Sequence, residues 1–99
     1  GDTMPKGYVI ARAIVTNPTA WAEYAAKAGE AMKIYGGTPI VRGGRVEVTE
    51  GEGRARNVVI EFESFEAARK YAHSPEYAAA RKLRENAGVI DVVVVEGAA

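Results

Sequence analysis

The sequence predicts an α+β domain in which helices gather on one face of a four-stranded antiparallel sheet. Three observations carry that expectation. Apolar, β-branched runs alternate with stretches of helical spacing in the order strand, helix, strand, strand, helix, strand. Two helix starts, at Ser64 and Ser74, follow in quick succession behind the apolar run Val58 to Phe62. Glycines punctuate the chain where a helix must stop or a strand must turn, at Gly36-Gly37, Gly43-Gly44 and Gly88.

Tyr8 to Val15 is β-branched or apolar at nearly every position and is predicted as the first strand. Asn17-Pro18 supplies a cap and a first-turn proline, and Trp21, Tyr24, Ala25, Ala28, Met32 and Tyr35 then recur at helical spacing. Gly36-Gly37 ends that helix in a left-handed cap. Thr38 to Arg42 is a short strand. After the Gly43-Gly44 turn, Arg45 to Thr49 is expected to return as an irregular strand or hairpin arm, followed by a polar loop over residues 50–54. The third strand is placed at Asn57 to Glu63. Ser64 can accept from the free amides of a short helix, and Glu66 suits its dipole. A break near His73 precedes a second helical stretch from Pro75 to about Asn86, ended by Gly88. Val89 to Glu96 is the last strand. This is the split βαβ, or ferredoxin-like, plan; a different α+β sandwich built from the same elements is the alternative.

With 99 residues and 47% apolar content, the chain has one domain with a real core. We read Gly1 to Thr3, before Met4, as a cloning remnant and residues 4–99 as the domain. Thirteen basic residues balance thirteen acidic ones, which argues against a nucleic-acid binder. There is no cysteine, so disulfides, thiolate metal sites and cysteine nucleophiles are excluded. No apolar run reaches the roughly 20 residues that span a bilayer, and no export signal opens the chain. A cytoplasmic location with no membrane partner is expected.

The first and last strands are apolar on both faces. Val93 and Val95 point one way while Ile90, Val92 and Val94 point the other; Val9, Ala11, Ala13 and Val15 oppose Tyr8, Ile10 and Ile14. Two helices cover only one face. Each Val or Ile left in water forfeits roughly 1.5–3 kcal/mol, so a homodimer joined through the open sheet face is expected. Arg12, Glu61 and Asp91 interrupt these strands, and the expected strand order makes them candidate neighbours, either as a structural ion pair or as a polar spot in a ligand pocket.

Lys6-Gly7-Tyr8, Tyr35-Gly36-Gly37, Arg42-Gly43-Gly44, the run Glu61 to Ala68, and Ser74-Pro75-Glu76-Tyr77 resemble, in order and spacing, the bacterial family termed domain of unknown function thirteen-thirty. The resemblance runs from Lys6 to Gly97. It implies a protomer of the dimeric α/β-barrel superfamily, in which two sheets form a barrel. The family has no established reaction. Related families include cofactor-independent monooxygenases, haem-degrading enzymes, a muconolactone isomerase and stress-response proteins, a diversity that fold alone does not resolve.

Candidate site residues follow from chemistry. Glu61 and His73, the only histidine, are candidate general bases. Arg42 opens a glycine turn and could hold a carboxylate or phosphate bidentately; Arg12 could stabilise negative charge. Tyr77 and Arg81, four apart, share a helix face and are candidate ligand contacts. Against each stands a plainer role: a surface histidine, an exposed turn arginine, a packed tyrosine. Trp21, Tyr24 and Tyr35 are read as packing first and pocket wall second. One histidine and no cysteine give no metal site, and no cofactor is expected. The favoured expectation is a dimeric protein binding a small, partly apolar organic acid or aromatic metabolite, with enzymatic activity left open. The alternative is a non-catalytic structural dimer module with a filled core. An RNA-binding domain ranks last, because the third strand offers one aromatic and little basic flank.

Overall fold

A computed structural model describes residues 4–99; the presumed remnant, residues 1–3, lies outside the described residues. The elements are β1 (Gly7–Val15), α1 (Pro18–Ile34), β2 (Thr38–Arg42), β3 (Arg56–Phe62), α2 (Phe65–Ala72), α3 (Pro75–Lys82) and β4 (Gly88–Glu96). The sheet is antiparallel in the order β2-β3-β1-β4, the ferredoxin-like arrangement, with the second helical region split in two.

Local chemistry places the helices. Asn17 Oδ1 accepts from the Ala20 amide at 3.2 Å to start α1. At its far end the Gly37 amide donates to Met32 O at 2.9 Å and the Gly36 amide to Lys33 O at 3.3 Å, with Gly36 at φ 78°. That is a Schellman stop, and it turns the chain into β2. A Cβ on Gly37 would lie 2.7 Å from both Met32 and Phe62, so only glycine lets this corner sit on the core. Ser64 caps α2, accepting from the Ala67 amide at 3.1 Å. Ser74 is 4% exposed; its hydroxyl donates to Tyr71 O at 2.7 Å and accepts from the Tyr77 amide at 3.0 Å. One side chain thus closes α2 and opens α3.

Two expectations are corrected. Arg45 to Thr49 forms no strand: β2 is an edge strand paired only with β3, and residues 45–49 make no ladder along its free side. Gly43 and Gly44, at φ 73° and 95°, instead lead into a long loop. The last helix ends at Lys82, not near Asn86. Beyond it Leu83, Arg84 and Ala87 make tighter i to i−3 bonds, and the left-handed stop falls on Asn86 at φ 62°. This turn brings Ala87 O onto the amides of Thr16 and Asn17 at 2.8 and 3.0 Å, tying the end of β1 to the start of β4.

Register fixes the two faces of the sheet. Val9 lies between Ile60 and Val94, Ala11 between Val58 and Val92, and Ala13 between Arg56 and Ile90; these residues face the helices. The opposite face carries an apolar row across all four strands, Val41–Val59–Ile10–Val93. Beside it runs the polar row Asn57–Arg12–Asp91, and beyond that the pair Ile14–Val89. Ile14, Val41, Val89, Val93 and Val95 are 41–55% exposed, so this face is uncovered in the protomer. Among the described residues no helix is long and apolar enough to cross a membrane.

Candidate functional site

The helix-facing side of the sheet does not close fully onto α1. A cavity of about 110 Å³ lies between them. Small residues on both walls create it: Ala11 and Ala13 on β1 face Ala25, Ala28 and Gly29 on α1. The aromatic wall is a chain of packed rings running Phe62, Tyr71, Tyr77, Tyr24 and Trp21, with successive centroids 5.3, 5.1, 6.2 and 5.0 Å apart. The last four of these line the cavity.

Two cations reach the cavity from the β2–β3 side of the sheet. Arg42 ends β2 and is exposed; Arg56 begins β3, opposite Ala13, and is half-buried. Neither makes an ion pair among the described residues. Arg54 differs: its guanidinium binds Asp91 at 2.9 Å and donates to Arg12 O at 3.0 Å. Two guanidinium groups without carboxylates, at the edge of an apolar space, suit an anionic group on an otherwise apolar ligand.

The helical wall carries three phenol hydroxyls, those of Tyr24, Tyr71 and Tyr77. Tyr24 and Tyr77 hydroxyl oxygens are 2.9 Å apart and buried. Burial, and then the neighbouring Tyr77, push the Tyr24 pKa well above its ordinary value of 10.0. Burial does the same to Tyr71, whose hydroxyl donates to Ala28 O at 3.4 Å. Among the described residues no carboxylate or imidazole lines the cavity, so a ligand held there meets guanidinium and phenol groups against an apolar background.

The residues singled out from sequence separate into three places. Arg42 and Tyr77 line the cavity, as do Trp21 and Tyr24. Arg12 and Glu61 lie on the open face. They are not neighbours, because register sets Arg12 beside Asn57 and Asp91, while Glu61 sits opposite Tyr8 and accepts from its hydroxyl at 3.2 Å. That bond, after partial desolvation, raises the Tyr8 pKa. The expected cluster of Arg12, Glu61 and Asp91 is therefore only a pair across the strands, and the carboxylate of Asp91 is bound by Arg54. His73 is exposed at the C-cap of α2, and Arg81 is exposed on α3; neither lines the cavity. Tyr35, read as pocket wall second, stands outside it and donates to Glu76 at 2.8 Å.

Sequence reasoning passed over Arg56 and Tyr71. For Arg56 a signal existed: it shares strand parity with Val58, Ile60 and Phe62, the helix-facing residues of β3. Among the described residues no group of three or more His, Cys, Asp or Glu side chains forms a metal site.

The model of the family described as Domain of unknown function (DUF1330) matches residues 6–98. No curated protein matches the chain. Among solved structures, the fold is similar to RPA0582, a protein of unknown function from Rhodopseudomonas palustris, at TM-score 0.71 and 18% identity, covering 100% of this chain and 87% of that one. It is also similar to SnoaB, a cofactor-independent oxygenase from Streptomyces nogalater, at TM-score 0.63 and 9% identity, covering 92% and 91%. A dimeric ferredoxin-like protein of unknown function from Thermobifida fusca matches at TM-score 0.61 and 14% identity, covering 100% and 95%.

Proposed function

The chain belongs to the DUF1330 family, and we propose that it binds a small, partly apolar organic acid or aromatic metabolite in the cavity between sheet and α1, as a homodimer joined through the open sheet face. One observation carries the ligand reading: Arg42 and Arg56 reach an otherwise apolar, aromatic-walled cavity with no ion-pair partner among the described residues. A ring would lie against Trp21 and the tyrosines, and its carboxylate would meet the guanidinium forks. The dimer reading rests on the uncovered apolar row and on the dimeric neighbour.

A reaction in this space would rely on stabilising negative charge. The arginines supply that stabilisation and the tyrosine hydroxyls supply hydrogen bonds. SnoaB, a cofactor-independent oxygenase, shares this fold, and at 9% identity the likeness is one of fold.

The test is calorimetric titration with benzoate and with benzamide, its neutral counterpart. Benzoate should bind tighter in the wild type. Arg42→Met combined with Arg56→Met should weaken benzoate by about 10- to 100-fold, as expected for losing charge-assisted hydrogen bonds, and leave benzamide nearly unchanged. Equal binding of the two compounds, or a double variant that binds benzoate as before, would sink the ligand reading.

A further inference from the structure

The helical wall holds a polar feature that the arginines do not use. Two phenol groups bring two hydroxyl hydrogens. The Tyr24–Tyr77 bond, at 2.9 Å, consumes one of them, whichever residue donates. Among the described residues neither hydroxyl has a second partner. Tyr24 is 8% exposed and Tyr77 is 6% exposed, so bulk water does not take the remaining hydrogen. Tyr71 offers no outlet, because it donates elsewhere, to Ala28 O. Both side chains line the cavity, and that space is where the spare hydrogen can find an acceptor. A buried donor left without one is costly.

The pair is also held in place. Trp21 and Tyr77 meet the Tyr24 ring edge to face, at interplanar angles of 60° and 73°. The Arg84 guanidinium lies 5.4 Å from the Tyr24 ring centroid, and its buried Nε has no hydrogen-bond partner. Rings fixed by packing present a hydroxyl in a defined direction, as a recognition element requires. Because burial raises the Tyr24 pKa, this phenol's role is to donate a hydrogen bond and not to remove a proton.

We propose that the Tyr24–Tyr77 pair reads a hydrogen-bond acceptor on the ligand, so that the ligand is an aromatic carboxylate carrying a ketone or similar acceptor group apart from its carboxylate. This rests on the carboxylate-binding reading of the same cavity. The sheet-side arginines take the acid, and the hydroxyls bridging α1 and α3 take the carbonyl oxygen.

Matched probes test it: 4-acetylbenzoate against 4-isopropylbenzoate, which has the same shape without the acceptor, and the corresponding 3-substituted pair. In the wild type the better acetyl compound should bind about three- to tenfold tighter than its isopropyl partner, the range of one neutral hydrogen bond. In Tyr24→Phe/Tyr77→Phe the ratio should fall to about one. Either single variant frees the hydrogen of the remaining hydroxyl and should keep part of the preference. Equal affinities in the wild type, or a ratio that survives in the double variant, would overturn the inference. If all four compounds bind with arginine dependence but no acetyl preference, the carboxylate reading stands and the tyrosine reading falls; if none binds, both fall. The wild-type ratio needs no variant, so poor folding of the double variant would not leave the question open.

Discussion

Replacing Val93 by Glu should break the proposed dimer without unfolding the protomer. Val93 is 49% exposed and completes the apolar row Val41–Val59–Ile10–Val93 on the open face. Fully burying a valine is worth roughly 1.5–3 kcal/mol, so covering the exposed half gives about 0.7–1.5 kcal/mol. Two-fold symmetry counts it twice, for about 1.5–3 kcal/mol, or roughly a 10- to 100-fold change in dissociation constant. Glutamate adds a carboxylate to an apolar contact, which costs several kcal/mol more unless paired. Val93→Thr, similar in shape, removes much of the apolar contribution without the charge and should weaken association less. Sedimentation velocity from 1 to 100 μM, with circular dichroism to verify folding, reads both effects. A wild type that sediments as a monomer throughout, or a folded Val93→Glu protein that stays dimeric, would refute the reasoning.

Other outcomes follow from single groups. Tyr24 and Tyr71 have folded pKa values raised above 10.0, so their contribution is complete below pH 10 and is lost as pH climbs from there toward the folded values, because the unfolded chain releases protons first. Urea stability should fall above pH 10 with a slope approaching about 2.7 kcal/mol per pH unit for the two together, and more gently in Tyr24→Phe; a flat profile to pH 11 would contradict it. Ser74→Ala removes the cap of α3 and the bond to Tyr71 O at a 4%-exposed site, and should cost about 1–2 kcal/mol in chemical denaturation, more than Asn17→Ala at its exposed cap. His73→Ala and Glu61→Gln lie off the cavity and should leave benzoate affinity within about twofold, since hydrogen bonds that do not touch the ligand contribute little to it.

The fold was legible wherever a local device sufficed. Asn17, Ser64 and Ser74 each accept the amide expected of a cap, and Gly36-Gly37 forms the expected stop. The alternation in β1 and β4 gave the two faces correctly, because parity needs no partner strand. What required register was hidden. Glu61 and Arg12 looked like neighbours by strand order, yet four positions of β3 separate Glu61 from Asn57, the residue beside Arg12. Arg56 escapes for a different reason: a strand read from Asn57 starts one residue too late, so the parity of Arg56 with Val58 and Ile60 goes unused. Arg45 to Thr49 carries the alternating pattern of a strand, but a pattern cannot show whether a segment docks on the free edge of β2, and this one does not. His73 and Ser74 are adjacent, one exposed and the other buried, since the cap turns the serine inward and leaves the histidine outside.

The cavity itself separates a binding protein from a filled structural module. It exists because Ala11 and Ala13 face Ala25, Ala28 and Gly29 where larger residues would meet. Ala11→Val adds two carbons to a central strand position between Val58 and Val92, and suits the strand better than alanine. It should raise stability by about 1–2 kcal/mol from the added burial, and it should weaken benzoate by occupying the space. Stabilisation with benzoate affinity unchanged would place the ligand elsewhere. Destabilisation would mean that the walls already meet, and the space would then be no reserve for a ligand. Stability gained together with affinity lost is the outcome that ties the small residues of both walls to binding, since neither their helix spacing nor their strand parity requires them to be small.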